Sequence, residues 1–328
     1  MGRASDSDSV PAARRTSVVL VALVEVMLLA AVLVVVRWLP AAEPAHATGQ
    51  ERIDIADVPE PGPEPAVLPG ASTGTYTWNC GRNEEGHRNS ANFVASPGMQ
   101  PRQLHAHEYV GNRSTDVDST DASLAAATTT CDNGDLSTYY WPVLMVTGAG
   151  YPGHGRVRTP AAVTLTFLGS PAGPVVDMPR FLRATIGNAR ALTEPGIATS
   201  ATWTCASTPR RRTDRYPRCS AGDQVLRVFE FPSCWDGRRV DSPDHRTHLV
   251  AATAGGACPH ATFAVPRLRL TVAYDLPAGA DFVIDAFPDQ HYDPRTDHAF
   301  FVNIMPDQVM AAVIRCLNSG RVCSSADS

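Results

Sequence analysis

The sequence contains no lysine: all 28 of its basic residues are arginine. That absence excludes a Schiff-base lysine, a phosphate-loop lysine and a serine–lysine pair from any mechanism. Net positive charge is lacking as well. A formal charge of -5 at pH 7 argues against a nucleic-acid partner, which needs a basic face. No Walker loop and no dinucleotide fingerprint occurs, so a nucleotide partner is not expected either. A Gly-x-Ser-x-Gly elbow and a His-Glu-x-x-His pair are also missing. None of the eight cysteines forms a Cys-x-x-Cys knuckle. An even count without knuckles points to disulfides rather than a zinc ribbon.

What is present begins with a long hydrophobic run. Val18 to Val36 is apolar except for Glu25 and follows Arg14 and Arg15. Its length is close to the roughly 20 residues that span a bilayer, which predicts a transmembrane signal-anchor over 17–38 behind a cytoplasmic tail, 1–16. The remainder is then expected outside the cytoplasm on the cell membrane, or secreted if the chain is cut near Ala45-His46-Ala47. Residues 39–74, with Pro59, Pro61, Pro63, Pro65 and Pro69, read as a proline-rich disordered linker. An extracytoplasmic domain is expected over 75–328, where all eight cysteines fall. Proximity in sequence favours Cys205–Cys219, Cys234–Cys258 and Cys316–Cys323, leaving Cys80–Cys131.

Within that domain the signal is mostly strand. Val163–Leu168, Val225–Phe231 and Leu268–Tyr274 alternate between apolar and polar positions, and Phe282–Phe287 and Phe300–Ile304 are further candidates. One helix is predicted after Pro306, capped by Asp307 and stopped by Gly320. The expected fold is mainly β: a β-sandwich-like domain with long disulfide-stapled loops and a short C-terminal helix, preceded by one transmembrane helix.

Chemistry falls to the ten histidines. His105 and His107 are two apart, and on a strand both rings lean to one face. A second cluster gathers Asp236, Asp241, Asp244, His245 and His248, and a third runs from Asp289 to His298. Histidines with carboxylates in loops suit a divalent transition metal or acid–base work. The candidate metal ligands are His105, His107, His245, His248 and His298, and the candidate catalytic residues are His107, Asp236, Asp244 and His248. Trp141, Trp235 and Tyr139 are candidates for stacking on a sugar ring. A triad of His105, Asp236 and a serine is conceivable, though no local pattern favours it. Arg210 to Arg218 reads as a solvated loop or as a patch attracting an acidic polymer.

Several segments together resemble the DUF1996 family, a domain of unknown function in secreted fungal and actinobacterial proteins. They are Ser96-Pro-Gly98 with His105 to Asn112, Thr129 to Pro142, and Phe231-Pro-Ser-Cys-Trp-Asp-Gly237 through His248. Cys258-Pro259, Pro266 to Leu268, and His298 to Asn303 with Cys316 follow in the same order. The resemblance covers about residues 76–323. It implies that His105, His107, Asp236, Asp244, His245, His248 and His298 occupy motif positions, but brings no activity with it. Phe300 stands where the pattern has aspartate, Ile304-Met305 where it has Gly-Trp, and Leu136 where it has lysine. The expected function is that of a membrane-anchored extracytoplasmic protein, an enzyme such as a hydrolase acting on a glycan or cell-envelope polymer through a His/Asp site. A non-catalytic carbohydrate- or envelope-binding module and a purely structural surface domain are the alternatives.

Overall fold

The computed structural model describes residues 51–98, 105–148, 155–194, 196 and 201–325. Two large sheets dominate them. The first has six strands in the order Ala201–Cys205, Val225–Glu230, Arg267–Tyr274, Ala162–Leu168, Thr75–Trp78 and Val322–Ser324. The second has five, in the order Arg88–Asn89, His107–Gly111, Thr138–Pro142, His298–Val302 and Arg183–Gly187, all antiparallel to their neighbours. Three smaller sheets of two or three short strands complete the set.

Alternation decides which residues meet between the large sheets. Leu268, Leu270, Val272 and Tyr274 are buried, while Arg267, Arg269 and Thr271 between them are half-exposed. On the five-stranded sheet Tyr139 and Phe301 stack at 5.0 Å, and Phe301 meets Phe167 of the other sheet at 6.0 Å. Burying such rings stabilises the fold by about 25 cal/mol for each Å² removed from water.

Charge also crosses this core. Arg227 and Asp297, both wholly buried, form a two-pronged ion pair, and Arg227 Nη1 donates to the carbonyl of Pro142 at 2.7 Å. Asp297 in turn accepts from the N–H of His298 at 2.9 Å. One arginine on the six-stranded sheet thereby braces two strands of the other.

Four disulfides close the loops: Cys80–Cys131, Cys205–Cys219, Cys234–Cys258 and Cys316–Cys323. The helix Asp307–Asn318 packs Val309, Met310, Val313 and Leu317 inward, as their spacing predicts. Its N-cap is Pro306, so Asp307 lies inside the first turn and not at the cap.

The expected architecture needs correcting. The observed fold is mixed and β-rich, with disulfide-stapled loops and short helices. Among the described residues no helix is long and apolar enough to cross a membrane. The longest, Asp307–Asn318, has 12 residues, against the roughly 20 a span requires. The anchor expected at 17–38 lies outside the described residues. No described residue supports the membrane partner, the cell-membrane location or the anchoring of an enzyme or binding module at a membrane.

Part of the expected linker is built into the fold. Arg52–Asp54 pairs in parallel with Tyr216–Arg218, and Ile55 and Val58 are buried beside Cys205. Arg211 clamps this stretch by donating to the carbonyls of Ala56 and Val58. Ile53, Ile55 and Val58 carry enough apolar surface to dock, whereas Pro59 to Leu68 is exposed throughout.

Candidate metal centre

Three histidines meet on the face of the five-stranded sheet turned away from the other large sheet. His107 pairs with Pro142, and Phe300 pairs with Tyr140. Carried two residues further, that register sets His298 opposite Pro142 from the other side. His107 and His298 thus share one row, with a single strand between them. His105 lies two residues before His107 and leans the same way. The carboxylate of Asp285 accepts from the N–H of Ala106 at 2.8 Å and holds the backbone between the two rings.

All three Nε2 atoms point at one another. The separations are 3.1 Å for His105–His107, 3.0 Å for His105–His298 and 3.2 Å for His107–His298. An ion about 2.0 Å from each nitrogen would stand about 1 Å off their plane, with N–ion–N angles near 100°. That is close to tetrahedral, with one position left open.

Burial keeps these rings neutral. It depresses His105 to about 4, aided by the positive charge of Arg190. Burial, then the charges of His105 and His298, pushes His107 far below its ordinary value, against an opposing pull from the backbone of Ala91. His298 is pushed down by burial and then by His105, against the opposing bond to Thr296. The Thr296 carbonyl can only accept, so His298 Nδ1 donates to it at 2.8 Å and Nε2 keeps its lone pair. A group of this kind can hold a metal ion.

Aromatic rings wall the centre. Phe287 meets His105 edge-on at 4.7 Å, and Tyr140 meets His107 at 5.5 Å. Phe300 lies 5.4 Å from His298 and 6.0 Å from His107. The position where the resemblance implies aspartate therefore faces this centre and is apolar in this chain. Two further groupings of potential ligands, Cys80–Cys131 with Asp135 and Cys205–Cys219 with Asp223, contain disulfide sulfurs and offer no thiolate.

The remaining candidates lie elsewhere. His248 is wholly buried, with Nε2 on the carbonyl of Arg183 at 2.7 Å and Nδ1 on Ser242 Oγ at 2.8 Å. Both nitrogens face partners within the protein, so neither is turned toward the other histidines. His245 Nδ1 is held by Asp241 at 2.9 Å. Asp244 accepts from the Ser242 hydroxyl, then from the Thr247 and Arg246 backbone, and these bonds hold its carboxyl below the usual range. The order is Asp–Ser–His, with serine donating to aspartate, which is the wrong polarity for a serine nucleophile. Asp236 closes a turn by accepting from the N–H groups of Arg238 and Arg239 and from the Arg239 guanidinium. Burial raises its carboxyl, but those bonds outweigh it and leave it lowered. The turn needs Gly237 at φ 71°, where a Cβ would stand 2.6 Å from the Phe263 ring. No hydrogen bond or ion pair among the described residues joins Asp236, Asp244 or His248 to His107.

The aromatic candidates offer little surface. Trp141 is wholly buried and donates to Glu108 at 2.9 Å, and Tyr139 is wholly buried and donates to Asp135 at 2.6 Å. Neither presents a ring to a sugar. Trp235 is half-buried and donates to the carbonyl of Arg239. The residues that orient the three rings, namely Asp285, Thr296, Phe287 and Arg227, carried no local motif by which the sequence could have marked them.

A small β-rich domain with a buried three-histidine cluster is the class these observations define. A family model for a domain of unknown function, DUF1996, matches residues 93–294, and the chain belongs to that family. No curated protein and no solved structure matches the chain. His105 and His107 lie inside the matched stretch, and His298 falls just beyond its end.

Proposed function

We propose that the chain is a mononuclear metalloprotein in which His105, His107 and His298 hold one divalent transition-metal ion. The observation that carries the proposal is the convergence of three Nε2 atoms within 3.2 Å of one another inside a buried, aromatic-walled site. Neutral imidazoles so placed repel through their lone pairs unless a cation or shared protons lie between them. All-imidazole ligation suits zinc, copper, iron or nickel and disfavours calcium and magnesium, which require oxygen ligands.

The ligand count supports a working site over a structural one. Structural zinc sites are closed by four protein ligands, whereas catalytic ones use three and keep a position for water or substrate. An ion here would act as a Lewis acid toward a molecule in that position. The chain's own residues do the positioning. Thr296 orients His298, Asp285 fixes the His105–His107 segment, and Phe287, Tyr140 and Phe300 exclude water.

The test is metal content and affinity. Purified protein stripped with a chelator and titrated with Zn²⁺ or Cu²⁺ is expected to bind one equivalent. His298→Ala and His107→Ala should each lose it while keeping the β-rich circular dichroism spectrum. A folded wild-type chain that takes up no metal at micromolar concentration overturns the proposal.

A further inference from the structure

The three-histidine centre is short of negative charge. Its ligands are all neutral, and no Asp or Glu oxygen joins the group within 4.8 Å among the described residues. A divalent ion would bring two positive charges into a buried place, which is costly without compensation. Two carboxylates touch the segments that carry the ligands, Asp285 at the N–H of Ala106 and Asp297 at the N–H of His298, but neither reaches the nitrogens, and three guanidinium groups add positive charge around them. Arg227 donates to the carbonyl of Pro142, the residue between His107 and His298, and is neutralised by Asp297. Arg246 donates to the carbonyl of Gly187, which pairs with His298. Arg190 lies over the face of Phe287 at 4.3 Å, and the edge of that ring contact reaches His105 at 4.7 Å.

Arg190 stands on the His105 side of the centre. His105 is 4% exposed, against 1% for each of its two partners. The two distances through Phe287 put the Arg190 guanidinium carbon within about 9 Å of the His105 ring centre. The Arg190 side chain is 41% exposed, and its acidic contacts are long, 3.5 Å to Asp289 and 3.9 Å to Glu194, both well exposed. Such pairs are weak and exchange readily. A guanidinium is also the group best matched to a carboxylate, which it grips with two parallel hydrogen bonds.

Resting on the metal reading above, we infer that the open coordination position takes a carboxylate-bearing anion, with one oxygen on the metal and Arg190 on the rest of the carboxylate. The anion supplies the charge the protein withholds, and Phe300 and Phe287 deny it competing water. Neutral molecules are selected against, because they leave the ion uncompensated.

Cobalt separates this inference from the reading beneath it. The full chain is loaded with Co²⁺, and the visible bands are titrated with acetate and, separately, with neutral imidazole. One equivalent of Co²⁺ in the wild type and none in His298→Ala establishes the centre. Absence of Co²⁺ binding overturns the metal reading and this inference together. With the centre loaded, acetate is expected to bind more tightly than imidazole. Arg190→Gln should weaken acetate about tenfold and leave imidazole unchanged, and Arg190→Lys should recover part of the loss. Acetate no tighter than imidazole, or equally tight in Arg190→Gln, overturns the anion inference while leaving the metal centre standing.

Discussion

Replacing Arg227 with methionine should be among the most damaging single changes to this fold. The guanidinium makes hydrogen bonds to both carboxylate oxygens of Asp297, to the carbonyl of Pro142 and to the hydroxyl of Tyr274. Both charged side chains are 0% exposed, so water cannot replace what is lost. Arg227→Met leaves a buried carboxylate facing apolar neighbours, and breaking one side of such a pair costs about 3–5 kcal/mol. At about 2–4 °C per kcal/mol for a domain of this size, the melting temperature should fall by roughly 6–20 °C. Urea unfolding followed by tryptophan fluorescence is well suited, because Arg227 lies over the Trp203 ring at 5.3 Å. The double variant Arg227→Met/Asp297→Asn keeps an acceptor for the His298 N–H but removes the buried charge, and should recover part of the loss. A cost below about 1 kcal/mol, the range of exposed pairs, would refute the reasoning.

Further outcomes can be stated more briefly. Zinc in thousandfold excess over its dissociation constant should stabilise the protein by about 4 kcal/mol, seen as a rise in melting temperature that EDTA reverses and that His298→Ala abolishes. In metal-free protein the depressed His105 makes the fold lose stability as pH falls from about 6.5 to about 4, since the unfolded chain takes up the proton first; stability unchanged across that window in urea titrations contradicts a buried neutral ring. His248→Ala should cost about 2–4 kcal/mol by orphaning buried partners, yet leave metal stoichiometry at one, whereas lost metal would place His248 in the centre. Replacing Cys80 and Cys131 together with alanine opens a loop of 51 residues and should cost about 4 kcal/mol in equilibrium unfolding.

The pair His105 and His107 was legible because a period of two is a local property. The third member was not singled out by anything local. His298 lies 191 residues from His107, and in sequence it resembles His245, which also follows an aspartate. What distinguishes it is sheet register across Pro142, which only the assembled strands define. Conversely, His248 looks available in sequence because its partners, the Ser242 hydroxyl and the Arg183 carbonyl, are ordinary groups that any histidine meets by folding. Two of the aromatic candidates, Tyr139 and Trp141, offer no open face for a related reason. Thr138–Pro142 is buried on both faces, so Tyr139, Tyr140 and Trp141 all point into packing, and composition alone cannot report that. Strands that alternate over most of their length, such as Arg267–Tyr274, and the helix Asp307–Asn318 were legible because one face of each stays partly wet. Ile53, Ile55 and Val58 were obscured by the prolines that follow them.

The shared row of His107 and His298 has a mechanical meaning. Two strands separated by a third lie about 10 Å apart, farther than the roughly 7 Å a disulfide can bridge. An ion between those rings would tie the sheet crosswise, perpendicular to its strands, at a span no cystine reaches. It would also fasten together two stretches that a ribosome delivers nearly two hundred residues apart. Such a rivet can be set only late, after the last long strand has docked. Its insertion would then mark the moment at which the chain stops being a set of loosely sewn loops and begins to resist being pulled open from either end.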